Sequence, residues 1–271
     1  MWTSLFATAL LVDIINIPFD NGANKIGSRY AYKQLEKDLK FLPINNEIII
    51  NTKGHLRQVF GDGFFEISKS LDRNNFPLCI GGDHTVVLSS IFASNEHCIY
   101  NKEKLGVLWF DAHADFNTMM TSPSKNLHGM PVSILCGHDL YLLSFGKFLN
   151  PDQFAFYGLR DLDSLEFNRF QENNMLVLDN EHQLDACLEH YDAVHLSFDM
   201  DCIDPSEFSS VNTLVKNGPS LEKINKMLDK IRLSNKLVSM DIVEYNPTIK
   251  ENNDVITDIL KRVFYKNDLL L

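Results

Sequence analysis

The feature that most narrows the fold is that apolar runs of strand length stop repeatedly on acidic residues and histidines. Leu105-Gly106-Val107-Leu108-Trp109 is apolar throughout, as expected of a strand covered on both faces, and it leads into Phe110-Asp111-Ala112-His113-Ala114-Asp115. Asp111, His113 and Asp115 are spaced i, i+2, i+4, so an extended backbone would project all three from one side. Two carboxylates flanking an imidazole are costly to bury without compensation, and a divalent cation would supply it. Taken alone, the motif also fits an acidic loop with a solvated histidine. A second run, Leu196-Ser197-Phe198-Asp199-Met200-Asp201, ends in another aspartate pair at i, i+2. Two such strand ends point to one shared site.

Length and composition bound what surrounds that site. At 271 residues and 45% hydrophobic content the chain can form one large α/β domain with a sizeable core. A net charge of -11 argues against nucleic acid or an anionic membrane surface as a partner and favours cationic or neutral substrates. The cysteines, Cys79, Cys98, Cys136, Cys187 and Cys202, are odd in number and irregularly spaced. They suggest neither a disulfide framework nor a C-x-x-C zinc pattern, which places the protein in a reducing compartment, the cytoplasm. The opening apolar run lacks a basic leader region, and no stretch approaches the roughly 18 apolar residues of a membrane span.

In chain order the pattern predicts a strand over 7–15, a loop over 16–24, and a helix capped by Ser28 running to about Lys40. A strand over 47–50 and a helix over 55–72 follow, the latter weakened by Gly61 and Gly63. Pro77-Leu78-Cys79-Ile80 then runs into Gly81-Gly82-Asp83-His84-Thr85, where glycines allow a sharp turn before a helix. After the strand at 105–109, a long polar loop over 117–128 suits a binding loop on a rigid scaffold. Further strands are expected at 154–158, 175–178, 193–198 and 237–243. Helices are expected at about 164–173, 180–190, 220–233 and 253–264. Roughly eight strands alternating with helices imply a parallel sheet covered on both sides, with ligands at the carboxyl ends of its strands.

Four strand ends carry Gly81-Gly82-Asp83-His84, Asp111-Ala112-His113-Ala114-Asp115, Ser197-Phe198-Asp199-Met200-Asp201 and Asp241-Ile242-Val243-Glu244-Tyr245-Asn246-Pro247. In this order, and over nearly the whole chain, they resemble the ureohydrolases, that is, arginases, agmatinases and their relatives. The resemblance implies a three-layer α/β/α sandwich with an eight-stranded mostly parallel sheet, one catalytic domain over 1–271, and two Mn2+ ions. It implies that His84, Asp111, Asp115 and Asp199 hold one ion, that His113, Asp111, Asp199 and Asp201 hold the other, and that Asp111 and Asp199 bridge. Charge agrees independently: four aspartates and two neutral imidazoles carry about four negative charges, which two divalent ions neutralise. Oxygen-rich ligation suits manganese, and zinc or cobalt is compatible with such a site. Cys202 beside it reads as a small buried residue. Histidines 55, 97, 138, 182, 190 and 195 read as surface or core residues.

The long loop resembles arginase more than agmatinase through Asn117-Thr118 and Ser124-Lys125-Asn126-Leu127-His128-Gly129-Met130-Pro131. By that resemblance Asn117, Ser124 and Asn126 hold a substrate α-carboxylate, and His128 relays protons. Asp163 meets the α-ammonium, and Glu244 pairs with the guanidinium. Asp163 also fits an ordinary helix cap, and Glu244 a solvated acid. The implied reaction is hydrolysis of L-arginine to L-ornithine and urea, by attack of a hydroxide oriented by Asp115 on the guanidinium carbon. The implied assembly is a homo-oligomer, a trimer or hexamer, although the tail Lys266–Leu271 offers no clear oligomerisation element. One stretch departs from the pattern. Where arginases usually carry a G-T-G-T-P-like segment, this chain has Ser209-Ser210-Val211-Asn212-Thr213-Leu214, with Thr213 as the equivalent substrate contact. That departure keeps two alternatives open: another ureohydrolase (agmatinase, guanidinobutyrase or formiminoglutamase), or a catalytically impaired relative that binds metal or a guanidino compound.

Overall fold

The computed structural model describes residues 10–265. Eight strands form one parallel sheet: β1 (Val12–Ile17), β2 (Ile44–Ile49), β3 (Phe76–Gly81), β4 (Leu105–Phe110), β5 (Phe154–Tyr157), β6 (Leu176–Val177), β7 (Ala193–Asp199) and β8 (Leu237–Val243). Their spatial order is β2-β1-β3-β8-β7-β4-β5-β6. Every described ladder in the sheet is parallel. Among the described residues eight α-helices accompany it: α1 (Ala31–Leu35), α2 (Leu56–Asp72), α3 (Val87–Tyr100), α4 (Pro131–Leu135), α5 (Ser164–Glu172), α6 (Glu181–His190), α7 (Leu221–Ser234) and α8 (Asn253–Phe264). Among the described residues no helix is long and apolar enough to cross a membrane.

The layers follow from the alternation of side chains along each buried strand. Val12 and Ile14 of β1, Leu108 and Phe110 of β4, and Leu196 and Phe198 of β7 point into one core, where they meet α1, α6, α7 and α8. Ile15 and Ile17, Val107 and Trp109, and Phe154 and Phe156 point into the other, against α2, α3, α4 and α5. Both faces of β1, β3, β4 and β7 are buried, and the acidic motifs stand at their carboxyl ends.

Several boundaries differ from the sequence expectation. The first strand begins at Val12 rather than Ala7; positions 7–9, like the tail 266–271, lie outside the described residues, and Leu10 and Leu11 are exposed. Asp13 sits inside the strand because its carboxylate accepts from the side chains of Asn45, Asn46 and Asn75. Burial opposes its charge, but these donors hold it below the usual carboxylate range. The expected helix over 28–40 is broken into a 3-10 turn (Ser28–Tyr30), the short α1 and another turn (Asp38–Phe41). Ser28 caps nothing; its buried hydroxyl has no partner among the described residues. Gly61 and Gly63 do not interrupt α2. A Cβ on Gly63 would come 2.7 Å from Ser89 Oγ, so the glycine lets α2 and α3 approach closely. The strand at 175–178 shrinks to the two residues of β6. The turn Leu127–Gly129 and helix α4 close the long loop, which periodicity did not anticipate.

Because Leu196 is fully buried on a central strand, Leu196→Ala should lose about 2–5 kcal/mol of stability. Equilibrium chemical denaturation checks this; an unchanged midpoint would mean β7 is not part of the packed centre.

Candidate metal centre

Residues from the ends of β3, β4 and β7 converge at the carboxyl edge of the sheet. His84 opens the turn after β3, and Asp111 follows β4 directly. Asp199 closes β7, and Asp201 lies in the next turn. The extended backbone expected through 111–115 is not what brings the first motif together. The strand ends at Phe110, and Asp115 adopts φ +48°, a left-handed conformation rare outside glycine. Such strain costs about 1–3 kcal/mol and persists only where surrounding contacts hold it. Here Asp115 C=O accepts from Val132 N–H at 3.0 Å, tying the turn to α4.

Two ligand clusters result. His84 Nδ1 lies 3.0 Å from Asp111 Oδ2, 3.1 Å from Asp115 Oδ2 and 3.2 Å from Asp199 Oδ2. His113 Nδ1 lies 3.3 Å from Asp111 Oδ1 and 3.1 Å from Asp201 Oδ2. Asp111 thus presents one oxygen to each cluster. All six side chains predicted as metal ligands come together, and they contain both triads best placed to hold an ion: His84, Asp111 and Asp199, and Asp111, His113 and Asp201.

Electrostatics supports a cation in this place. Burial raises Asp199 well above the usual range, helped by Asp201 and Asp111; burial and Asp111 push Asp201 up to about 6. Asp111 goes down despite burial because His113 and His84 both face it. Both imidazoles, whose charge burial opposes, are forced up by the carboxylates around them. Buried His84 Nδ1 makes no well-aligned hydrogen bond among the described residues although three carboxylate oxygens face it. An imidazole lone pair and carboxylates turned toward one point form the donor set of a divalent cation.

Beside the clusters stands a second pair. Glu244 follows β8 with φ +61°, and its Oε1 accepts from His84 N–H at 3.0 Å and lies 3.1 Å from His128 Nδ1. One oxygen therefore links the backbone of His84, a candidate ligand, to the histidine of the long loop.

These features match the comparisons with known proteins. The Arginase family model matches residues 11–266. The chain belongs to the arginase family. An arginase of Staphylococcus aureus is 33% identical over 89% of this chain and 92% of its own length, and one of Bacillus subtilis is 30% identical over the same shares. The crystal structure of Entamoeba histolytica arginase in complex with L-ornithine superposes with a TM-score of 0.88 at 28% identity, covering 96% of this chain and all of that one.

Within this arginase-family site, the residues read as substrate contacts are placed unequally. Asn117 is buried and donates to Asp163 Oδ2 at 2.8 Å. The other Asp163 oxygen caps α5 by accepting from Leu165 and Glu166 N–H, so the cap and a site contact coexist in one residue. Ser124 is exposed and accepts from Asn126 N–H. Thr213 is exposed, whereas its neighbour Asn212 is buried. Among the described residues, Ser124, Asn126 and Thr213 make no hydrogen bond to Asn117, Asp163 or Glu244. Cys202 is buried, donating to Tyr157 C=O, and belongs to neither ligand triad. His195 is a core residue, bonded to Ser239 and Asp241.

Two supporting residues escaped the sequence reading. Trp109 stacks on His84, centroids 4.2 Å apart, and its Nε1–H donates to Asp111 Oδ2 at 3.0 Å. Ser197 Oγ lies 2.9 Å from His84 Nε2, which leaves Nδ1 facing the carboxylates. Each stands two residues before a candidate ligand, Trp109 before Asp111 and Ser197 before Asp199, so the period of two carried the signal.

Burial disfavours charge on His128, but Glu244 outweighs it and pushes the imidazole up to about 9. A raised histidine contributes stability that is present below its ordinary value of about 6.5 and is lost as pH rises through about 9. In metal-free protein, Glu244→Gln should lower the His128 pKa by about one unit or more. NMR titration of the imidazole checks this; an unmoved titration would show that the pair does not form.

Proposed function

We propose that the chain hydrolyses L-arginine to L-ornithine and urea with a pair of manganese ions. The observation that carries this reading is the joining of two ligand clusters through Asp111, with Glu244 bonded to both His84 and His128. His84, Asp111, Asp115 and Asp199 would hold one ion and His113, Asp111, Asp199 and Asp201 the other. When bound, the pair supplies positive charge that acidifies water near neutral pH and polarises the scissile group.

The chain's own residues account for the remaining steps. Glu244 receives the substrate guanidinium, a planar cation suited to a buried carboxylate. Asp115 accepts a hydrogen bond from the attacking hydroxide and so orients it. As the carbon–nitrogen bond breaks, the departing δ-amine needs a proton, and His128 donates it. The Glu244–His128 bond makes that donation conditional. With Glu244 free, His128 is held charged; once a guanidinium competes for Glu244, the imidazolium loses its counter-charge and becomes a stronger acid at the moment it is needed. At the other end of the substrate, Asn117, Ser124 and Asn126 donate to the α-carboxylate, Thr213 adds a rim contact, and Asp163 meets the α-ammonium. One catalytic domain, a trimeric or hexameric assembly and a cytoplasmic setting complete the proposal.

Arginine and agmatine share the guanidinium and the methylene chain, so Glu244 and the ions cannot separate them. Donors committed to the α-carboxylate can, because agmatine leaves them unpaired. Ser124 and Asn126 sit on an accessible loop, which moderates the penalty. We expect a kcat/KM preference for L-arginine of about 10²–10³, roughly 3–4 kcal/mol. It should shrink in an Asn117→Ala, Ser124→Ala double mutant. Urea release from arginine, agmatine and guanidinobutyrate, measured beside formamide release from formiminoglutamate, decides. Equal kcat/KM for agmatine and arginine would favour an agmatinase, and metal uptake without turnover on any of them would favour an impaired relative.

A further inference from the structure

Residues 20–27, between β1 and α1, form a strap fastened to three other parts of the chain. Gly22 N–H donates to Asp83 Oδ2 at 2.7 Å, and Gly22 C=O accepts from His128 N–H at 3.2 Å. Three residues on, Lys25 Nζ donates to Asn212 C=O at 2.7 Å, while Asn212 Nδ2 returns a bond to Lys25 C=O at 3.2 Å. Asn246 Nδ2 donates to Ile26 C=O at 3.2 Å and to Asn212 Oδ1 at 2.7 Å. The strap closes on itself through Asp20, which accepts from Gly27 N–H at 2.7 Å and pairs with Arg29.

The fit is tight at the first fastening. A Cβ on Gly22 would lie 2.3 Å from Thr85 Oγ1 and 2.8 Å from Asp83 Oδ2, so only glycine lets the strap lie against the turn that carries His84. The second fastening involves the stretch where this chain departs from the glycine-rich family pattern. Asn212 brings a side chain there, and that side chain is buried and fully engaged, by the strap on one side and by Asn246 on the other. The segment beside Thr213 is therefore held by side-chain bonds to the strap in place of a glycine-rich backbone.

We infer that the strap over residues 20–27 is a positioning element with two separable duties. Gly22 sets where the His128 imidazole stands, and the Lys25–Asn212 clasp sets where the 209–214 segment stands beside the Glu244-Tyr245-Asn246 strand end, to which Val211 and Ser210 are bonded. The inference rests on the arginine-hydrolase reading for its kinetic consequences, but not for its structural ones.

The test uses the metal-loaded full chain with three substitutions. Gly22→Ala should lower kcat about 10-fold with KM for arginine within about twofold, and added imidazole should restore part of the rate. Lys25→Met should raise KM about 5- to 10-fold with kcat nearly unchanged, and Lys25→Arg, which keeps a cationic donor, should restore the original KM. Hydrogen exchange supplies a readout independent of turnover: Gly22→Ala should speed exchange in peptides covering 124–130, and Lys25→Met in peptides covering 209–214. The inference is overturned if the variants change kcat and KM in the same proportion, or if neither segment exchanges faster. Should Gly22→Ala fail to fold, the Lys25→Met and Lys25→Arg pair still decides through KM and exchange. Should the unaltered protein release no urea from any guanidino compound, the functional reading fails by itself, and the exchange pattern alone upholds or overturns the strap.

Discussion

The constraint on which the rest of this structure depends is the gathering of four buried carboxylates at one edge of the sheet. Asp111, Asp115, Asp199 and Asp201 all lie at the carboxyl edge of one parallel sheet, each at most 7% exposed. Mutual repulsion and lost hydration would drive such a group apart or force it to bind protons, as the raised Asp199 and Asp201 show. Backbone N–H groups offset part of that cost. His113 N–H donates to Asp111, Asp201 N–H to Asp199, and Ala112 N–H to Asp201, so each turn fixes a carboxylate oxygen that a neighbouring residue needs. The remaining charge suits a divalent cation, and the packed layers hold the edge in place.

Backbone strain is spent at the same edge. Asp115 and Glu244 both take left-handed φ values without being glycine, and both stand where a side chain must turn back toward the site. Glu244 N–H donates to Gly82 C=O, which ties the end of β8 to the turn carrying His84. Arg160 contributes from another direction, donating to the carbonyls of Gly158, Asp201, Cys202 and Val215. These contacts preorganise the site on rigid elements and leave the flanking loops to determine which substrate fits.

The sheet and the convergence of the candidate ligands could be read from the sequence because each rests on a strong local signal. Continuous apolar runs mark strands buried on both faces, and the Asp-x-His-x-Asp and Asp-x-Asp spacings mark their ends. Four strand ends in one order then carried the family resemblance. What could not be read depended on partners distant in sequence. What lets Asp13 stay buried inside the first strand could not be read, because its asparagine donors at 45, 46 and 75 lie on other segments. The helix expected from Ser28 fails where Gly27 and Asp20 impose a turn. The left-handed backbone at Asp115 has no signature in side-chain periodicity, and the Lys25–Asn212 clasp joins residues 187 positions apart. Asp163 illustrates the limit of choosing between readings, since one of its oxygens caps a helix while the other meets Asn117.

The central claim, that this carboxylate and imidazole set exists to hold two cations sharing Asp111, is tested most directly by anomalous X-ray scattering from manganese-loaded crystals. The account predicts two peaks about 3.5–4 Å apart, one against His84 and the other against His113, both in contact with Asp111. A single peak at saturating manganese, or two peaks that do not share Asp111, would contradict it.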